Sequence, residues 1–191
     1  DLAVCGQSET AFQAIDAIAA LRPDLVLVDI TLPDKSGLEL IKDIQARDSK
    51  QAVLVISMHD ESLYAERVLR AGGRGYIMKQ EGGKKLMQAI RQVLSGQIYV
   101  SEKMSADILE IFSGRHSGRS DSPVAQLTDR EFEVFQLIGG GKGTREIAER
   151  LHLSIKTVEV HRANIKQKLK INTAPELIRF AVRWLETQNT T

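Results

Sequence analysis

The sequence has a single cysteine, Cys5, among its 191 residues. One cysteine excludes an intramolecular disulfide, and such sparse use of cysteine fits a reducing cytoplasm. No cysteines and histidines cluster at the spacing of zinc ligands, so a structural zinc site is not expected. The longest apolar runs are only a handful of residues, so neither a membrane span nor a signal peptide is predicted. These absences indicate a cytoplasmic protein with no membrane partner.

Charge is nearly balanced overall but is unevenly spread. The formal net charge is +1. Residues 126–191 hold 11 basic and 8 acidic side chains, and much of the positive charge lies between Lys156 and Lys170. An excess of this size is a weak indication of an anionic partner.

Three short apolar runs each end in a polar residue. The runs and the residues that follow them are Leu25–Val28 with Asp29, Ala52–Ile56 with Ser57, and Gly75–Met78 with Lys79. Such runs are typical of strands buried on both faces, and in one parallel sheet their ends would meet at the edge that binds ligands. Asp29 would then be a phosphoryl acceptor, with Lys79 neutralising charge and Ser57 donating a hydrogen bond. Taken alone, a strand-ending aspartate is as often a turn or cap residue.

Helical patterns alternate with these runs. Residues 2–5 predict a further strand, and helices are predicted over residues 10–21, 37–47 and 61–71 and in a stretch that ends at Ser95-Gly96. Strict alternation favours a doubly wound α/β domain, assigned to residues 1–95. Residues 96–125 are predicted to be a linker with a helix near 101–112, because residues 113–123 are rich in glycine, serine and charge.

Residues 126–191 show only helical patterns. Thr128 and Glu131 fit a capping box at the start of the first helix. Two short helices follow, joined by a tight turn at His152–Leu153, and Ser154 is a suitable N-cap for the second. This arrangement is typical of a helix-turn-helix, so an all-α DNA-binding domain is predicted.

The second of these helices has a distinct outward face. Opposite Val158 lie Lys156, Glu159, Val160, Ala163 and Gln167, with Asn164 at the margin and Arg162, Lys166 and Lys168 flanking this face. Small and polar side chains can approach base edges while cations reach phosphates. Glu159 could accept from cytosine or simply repel phosphate. The alternative that the pattern leaves open is a solvated face of a generic helical bundle.

Together these motifs resemble a two-component response regulator of the NarL/FixJ type, in which a flavodoxin-like receiver precedes a LuxR-type helix-turn-helix domain. The receiver resemblance rests on Val26–Asp29, Leu32–Pro33, Ser36–Gly37, Ile56–Ser57 and Gly75–Lys79. The output resemblance rests on Leu127–Glu131, Ile147–Ala148, Ser154, Thr157–Val158, His161, Ile165 and Lys168–Leu169.

The resemblance implies a role for each residue at the sheet edge. Asp29 would accept a phosphoryl group from a sensor histidine kinase or a small phosphodonor, and Ser57 and Lys79 would bind its oxygens. Asp29 and the backbone carbonyl of Thr31 would hold Mg²⁺. Tyr76 would be an aromatic switch that moves inward once Ser57 is drawn to the phosphate.

The resemblance also implies the protein's partners. Thr157 and His161 join the face expected to contact double-stranded DNA. The last helix, through Leu177, Ile178 and Ala181, would join two copies into a homodimer on two-fold-related half-sites. The protein is therefore expected to be a phosphorylation-gated transcription factor and not an enzyme.

One departure from the family keeps other interpretations open. Receivers carry an acidic pair at the end of a first strand, which completes the Mg²⁺ site, and these 191 residues hold no such strand, pair or first helix. An N-terminally truncated sequence is expected. The alternative is a phosphorylation-independent transcription factor whose N-terminal domain is a protein-interaction module. A haloacid dehalogenase-type phosphatase would need aspartate where Thr31 stands, and a ligand-sensing LuxR-type regulator would need a different sensor domain.

Overall fold

The computed structural model describes residues 1–102, 104–106 and 123–189. The chain divides into two compact units, residues 1–112 and 113–191. Within the described residues, every helix is too short or too polar to cross a bilayer.

A parallel three-stranded sheet forms the centre of the first unit. Its strands are β1 (Leu25–Val28), β2 (Ala52–Ser57) and β3 (Gly75–Met78), in the order β1-β2-β3. Val28 lies opposite Val55, and Ser57 lies opposite Met78. Because all three strands run the same way in this register, their carboxyl ends lie at one edge of the sheet.

A helix follows each strand, and one more helix precedes β1. They are α1 (Ala11–Leu21), α2 (Gly37–Arg47), α3 (Glu61–Arg70) and α4 (Gly82–Leu94), with a 3₁₀ turn at Lys79–Glu81 before α4. Thr10, Ser36 and Asp60 begin the first three helices, each accepting a backbone N–H with its side-chain oxygen. These caps satisfy donors that a helix start leaves without partners, which is why the chain turns into helices at these residues.

The core beneath α4 is built from aliphatic side chains of two strands and one helix. Leu54 and Ile77 from the sheet pack with Ala89, Ile90 and Val93 from α4. Each fully buried Leu, Ile or Val side chain contributes about 1.5–3 kcal/mol relative to exposure, so this cluster outweighs any single polar contact in the unit. The α/β class with a parallel sheet, predicted from the alternation of patterns, is confirmed.

The predicted strand over residues 2–5 was wrong. Residues 1–8 have no regular secondary structure, and Val4 is 91% exposed. A strand exists only through hydrogen bonds to a neighbour, and no described strand pairs with this segment. Of the helix predicted near 101–112, residues 102 and 104–106 are helical, Ser101 precedes the first helical residue, and residues 103 and 107–112 lie outside the described residues.

The second unit is all α-helical, as predicted. After a 3₁₀ turn at Pro123–Gln126, its helices are α5 (Asp129–Gly139), α6 (Thr144–Arg150), α7 (Ile155–Leu169) and α8 (Ala174–Asn189). The predicted capping box is present, since the Thr128 hydroxyl accepts the Glu131 N–H and the Glu131 carboxylate accepts the Thr128 N–H.

Helix α5 is the centre of the second unit. Its rings pack on α8, with Phe132 and Phe135 lying 5.7 and 5.6 Å from the Trp184 ring in edge-on arrangements. At its end, a Cβ added to Gly139 would lie 2.7 Å from the Ala181 carbonyl oxygen, so only glycine lets the two helices approach this closely. The other two helices also pack against α5.

Gly37→Ala is expected to destabilise the first unit by about 3 kcal/mol, near the upper end for overpacking. A Cβ at Gly37 would lie 2.1 Å from the Asp29 carbonyl oxygen, and this clash is with backbone atoms, which cannot move away as easily as the end of a side chain. Urea unfolding followed by circular dichroism measures the change. Gly83→Ala in α4 is the matched control, because a Cβ there meets nothing within 4 Å. That variant should gain up to about 1 kcal/mol from helix propensity, and an equal loss in both would contradict the expectation.

Candidate functional site

A carboxylate and an ammonium meet at the carboxyl edge of the sheet. Asp29, directly after β1, accepts a hydrogen bond on Oδ2 from Lys79 Nζ at 2.6 Å. The two side chains are 31% and 41% exposed, so a solute can reach both. An ion pair this exposed contributes at most about 1 kcal/mol to stability. The fold therefore does not depend on the pair, and both groups are free to react with or bind a solute.

The second oxygen of Asp29 faces the following loop. Asp29 Oδ1 accepts the backbone N–H of Thr31 at 3.2 Å, and a hydrogen bond of 3.1 Å joins Thr31 Oγ1 to His59 Nε2. The Thr31 side chain therefore links the loop after β1 to the loop after β2. Gly37 closes the loop, since its N–H donates to the Ile30 carbonyl at 2.7 Å.

Ser57 and Tyr76 are linked to the Asp29 loop through His59. Ser57 is fully buried, and its hydroxyl accepts the backbone N–H of His59 at 3.2 Å. The Tyr76 hydroxyl donates to the His59 carbonyl at 2.8 Å. The Tyr76 ring is only 1% exposed, so it lies inward in this structure.

Burial and charge keep the Tyr76 hydroxyl protonated. Burial raises its pKa, an effect that the Ser57 hydroxyl opposes and that the carboxylates of Asp60, Glu61 and Asp29 reinforce. A protonated hydroxyl donates to the loop between β2 and α3. The contact to the His59 carbonyl therefore persists at any pH near neutrality.

His59 is the member of this network that the sequence interpretation missed. Its ring lies 4.9 Å from the Tyr64 ring, and its burial lowers its pKa although Asp29 acts to raise it. Its position two residues after the strand-ending Ser57 was the available signal. That signal does not show that the His59 ring would contact Thr31 while its backbone contacts Ser57 and Tyr76.

The described residues fit a bound Mg²⁺ incompletely. The edge offers one carboxylate, on Asp29, and the backbone carbonyl of Thr31, while Mg²⁺ takes six oxygen ligands in octahedral geometry. The part of the chain that the structure describes has no group of three or more His, Cys, Asp or Glu placed to hold a metal ion.

An open cleft of about 430 Å³ adjoins the ion pair. It is lined by residues 3–8, by α1 and by β1, and it reaches Asp29 and Lys79. Most of its lining side chains are apolar, including Leu27, which is 45% exposed.

In the second unit, α7 presents one face to solvent. Val158 and Ile165 are fully buried and anchor the helix. Six of the ten residues predicted to contact DNA are exposed, namely Lys156, Glu159, Val160, Ala163, Asn164 and Gln167. The other four, Thr157, His161, Arg162 and Lys166, are half-buried. The outward face is thus small and polar at its centre, with basic residues beside it.

A half-buried ion pair holds α7 against α5. Lys168 Nζ donates to Glu131 Oε2 at 2.6 Å, and Glu131 is only 3% exposed. A second buried pair joins Arg130 to Glu133 at 2.7 Å, and Arg130 also donates to the Leu151 carbonyl at 2.7 Å. The Glu131–Lys168 pair thus orients α7 and uses the Lys168 ammonium inside the unit, while Arg130 joins α5 to the end of α6.

The residues predicted for a dimer contact on α8 divide into two groups. Leu177 and Ala181 are fully buried within their own unit, whereas Ile178 is 42% exposed. Only Ile178 of the three is presented on the surface of α8.

Known families match both units. The model described as "Response regulator receiver domain" matches residues 1–91, and the model described as "Bacterial regulatory proteins, luxR family" matches residues 125–181. The oxygen regulatory protein NreC of Staphylococcus carnosus is 33% identical over 187 residues, which are 96% of this chain and 86% of that protein. NreC of a Staphylococcus aureus strain matches with the same identity and coverage. The chain belongs to the two-component response regulators with a LuxR-type DNA-binding domain.

Solved structures agree with this response-regulator architecture. A two-component response regulator of the LuxR family from Aurantimonas sp. SI85-9A1 is 31% identical, with a TM-score of 0.50 over 55% of this chain and 74% of that one. RcsB from Salmonella enterica serovar Typhimurium, bound to promoter rprA, has a TM-score of 0.56 over 94% of this chain and 85% of that one. At 24% identity, the likeness to RcsB shows the fold.

Glu131→Gln is expected to lower the free energy of unfolding of the second unit by about 1–3 kcal/mol, because Lys168 loses its buried charged partner. Burial alone would raise the pKa of Glu131, but hydrogen bonds from Lys168 and Thr128 outweigh burial and lower it. The folded state therefore favours the ionised carboxylate. Its contribution is full above the ordinary glutamate pKa and is lost as pH falls through the lowered one.

Fluorescence of Trp184, the one tryptophan in the sequence, reports this unfolding in urea. The gap between wild type and Glu131→Gln should close in acid. Glu176→Gln is the matched control, because Glu176 makes the same reciprocal cap with Thr173 on an exposed surface. A loss as large in the control would mean that capping, and not the ion pair, stabilises the unit.

Proposed function

We propose that this response regulator accepts a phosphoryl group on Asp29 and thereby controls DNA binding by α7. The observation that carries the proposal is the exposed Asp29 carboxylate held 2.6 Å from the Lys79 ammonium at the carboxyl edge of the sheet. A nucleophilic oxygen with a cation beside it, open to solvent, suits transfer from a bulky phosphohistidine donor.

The transfer proceeds by attack of one Asp29 oxygen on phosphorus. The P–N bond of phosphohistidine, or the P–O bond of acetyl phosphate, breaks as the new P–O bond forms. The departing imidazole or acetate keeps the bonding electron pair. The acyl phosphate adds negative charge, and the Lys79 ammonium already at the site offsets it. The Ser57 hydroxyl accepts the His59 N–H in this structure and carries a proton of its own, which a phosphoryl oxygen would accept.

A role for Mg²⁺ at Asp29 and the Thr31 carbonyl stays a prediction. Beryllofluoride binding with and without Mg²⁺ measures it directly. Binding that needs the cation would support a metal ion whose other ligands are waters and phosphoryl oxygens.

The match to the luxR family model supports DNA as the partner of the second unit. We expect the exposed face of α7 to enter the major groove, with Lys156 and Lys166 contacting phosphates. Two copies joined through α8, with Ile178 at the contact, would present two such helices to two-fold-related half-sites.

Asp29→Ala should abolish labelling by acetyl phosphate and remove its effect on DNA affinity, because the acceptor oxygen is gone. Intact-mass spectrometry counts phosphoryl groups, and fluorescence anisotropy measures binding. The variant should stay folded, since the Asp29–Lys79 pair is worth at most about 1 kcal/mol.

Asp24→Ala is the control for this test. Asp24 is exposed just before β1, at the other end of the strand from Asp29, and that variant should label normally. Labelling that survives in Asp29→Ala would refute the assignment of the acceptor. If the wild type takes up neither acetyl phosphate nor beryllofluoride, the phosphorylation-independent interaction module becomes the better account.

Lys156→Ala and Lys166→Ala should each weaken DNA binding across sequences. Each should also lower the slope of log affinity against log salt by about 1, because one phosphate contact is lost. Anisotropy titrations at several salt concentrations measure both quantities. Arg183→Ala on α8 removes an exposed cation of the same unit away from α7 and should change neither. Equal effects from all three would indicate a general charge effect and exclude α7 as the contact helix.

A further inference from the structure

The segment after α4 lies along β3. Tyr99 forms a parallel bridge with Gly75, and its carbonyl accepts the Tyr76 N–H at 2.9 Å. The Tyr99 N–H donates to the Arg74 carbonyl at 3.0 Å. A Cβ added at Gly75 would lie 2.7 Å from the Tyr99 carbonyl oxygen, so the approach is close. The position of this segment therefore depends on β3.

A helical turn begins directly after this bridge, at Ser101. The Ser101 hydroxyl accepts the Met104 N–H at 3.1 Å, and its carbonyl accepts the Ser105 N–H at 2.9 Å. The Met104 side chain is buried, with 3% exposed. Ser101 is thus an N-cap residue, and Met104 is at the third helical position.

The cap at Ser101 is completed from another helix. In a capping box the third helical residue is a Glu or Gln that accepts the N-cap's own N–H. Glu131 does so for Thr128 at 2.8 Å, but methionine cannot do so at Met104. Instead Glu61 Oε1, in α3, accepts the Ser101 N–H at 2.8 Å.

The first turn of α3 is also connected to the proposed phosphorylation pocket, which is formed by Asp29, Ser57 and Lys79. Glu61 is its first residue, and Asp60 caps the helix with its carboxylate. His59, one residue earlier, donates its N–H to Ser57 and accepts the Tyr76 hydroxyl. The loop 57–61 therefore contacts the pocket at one end and carries the Ser101 cap at the other.

We propose that Glu61 is a positioning residue that caps the helical turn at Ser101 from α3. Displacement of the loop 57–61 by phosphorylation at Asp29 breaks this cap and releases the helical turn that begins at Ser101, which precedes the DNA-binding unit in the chain. The release rests on the proposed function, whereas the cap does not.

Amide hydrogen exchange of the full, unphosphorylated chain tests the cap. In Glu61→Ala, the amides of Ser101, Met104 and Ser105 should exchange about fivefold faster, the factor expected when a helix loses a capping hydrogen bond. Glu61→Gln keeps an acceptor oxygen without the charge, so it should restore most of the protection. Glu66→Ala, which removes an ion pair with Arg70 on the same helix, is the control and should leave these amides unchanged.

Unchanged exchange in Glu61→Ala overturns the proposal. Equal acceleration in Glu61→Ala and Glu61→Gln overturns it as well, because it assigns the effect to charge near α3 and not to the cap.

Two further measurements test the coupling. Asp60→Ala loosens the first turn of α3 and should accelerate exchange at Ser101 without any phosphodonor. Acetyl phosphate should do the same in the wild type, with labelling of Asp29 measured on the same sample.

Labelled Asp29 with unchanged exchange at residues 101–105 overturns the release and leaves the proposed function standing. Absence of labelling refutes the proposed function, and the Asp60→Ala result then decides the coupling by itself.

Discussion

The parallel register of three short strands is the constraint on which the first unit depends. It places the ends of β1 and β3 at one edge with β2 between them, and thereby brings Asp29 within 2.6 Å of Lys79 across 50 residues of chain. The ion pair does not hold the fold together, because an exposed pair contributes little. The aliphatic cluster between the sheet and α4 does, and it fixes the strand ends on which the pocket is built.

The loop between β2 and α3 connects the residues around Asp29 to the helical turn at Ser101. Through His59 it contacts Thr31, Ser57 and Tyr76, and through Glu61 it contacts the backbone of Ser101. Each contact is an ordinary hydrogen bond, worth about 1 kcal/mol net. A loop held by several such bonds, and by little apolar burial, is the kind of element that a new charge nearby can shift.

In the second unit, Glu131 links local and tertiary structure. Its carboxylate closes the capping box at the start of α5 and accepts the Lys168 ammonium from α7. One side chain therefore begins one helix and orients another. That orientation turns Val160 and its polar neighbours outward, and it leaves Lys156 and Lys166 as the cations beside them, with Lys168 engaged inside the unit.

The sequence was enough to predict the α/β unit and the α-helical unit, from apolar periodicity and from the side chains that end the strands. It also predicted the caps at Thr128 and Ser154. These features depend on near neighbours in the chain. Pairing partners are not encoded locally, which is why the strand expected at residues 2–5 was wrong. Three other features also depend on contacts between distant segments. They are the contacts of His59 with Thr31 and Tyr76, the burial of Leu177 and Ala181, and the Glu61 cap on Ser101. A residue's type shows what it can bond, whereas only the packed chain decides which partner comes within reach.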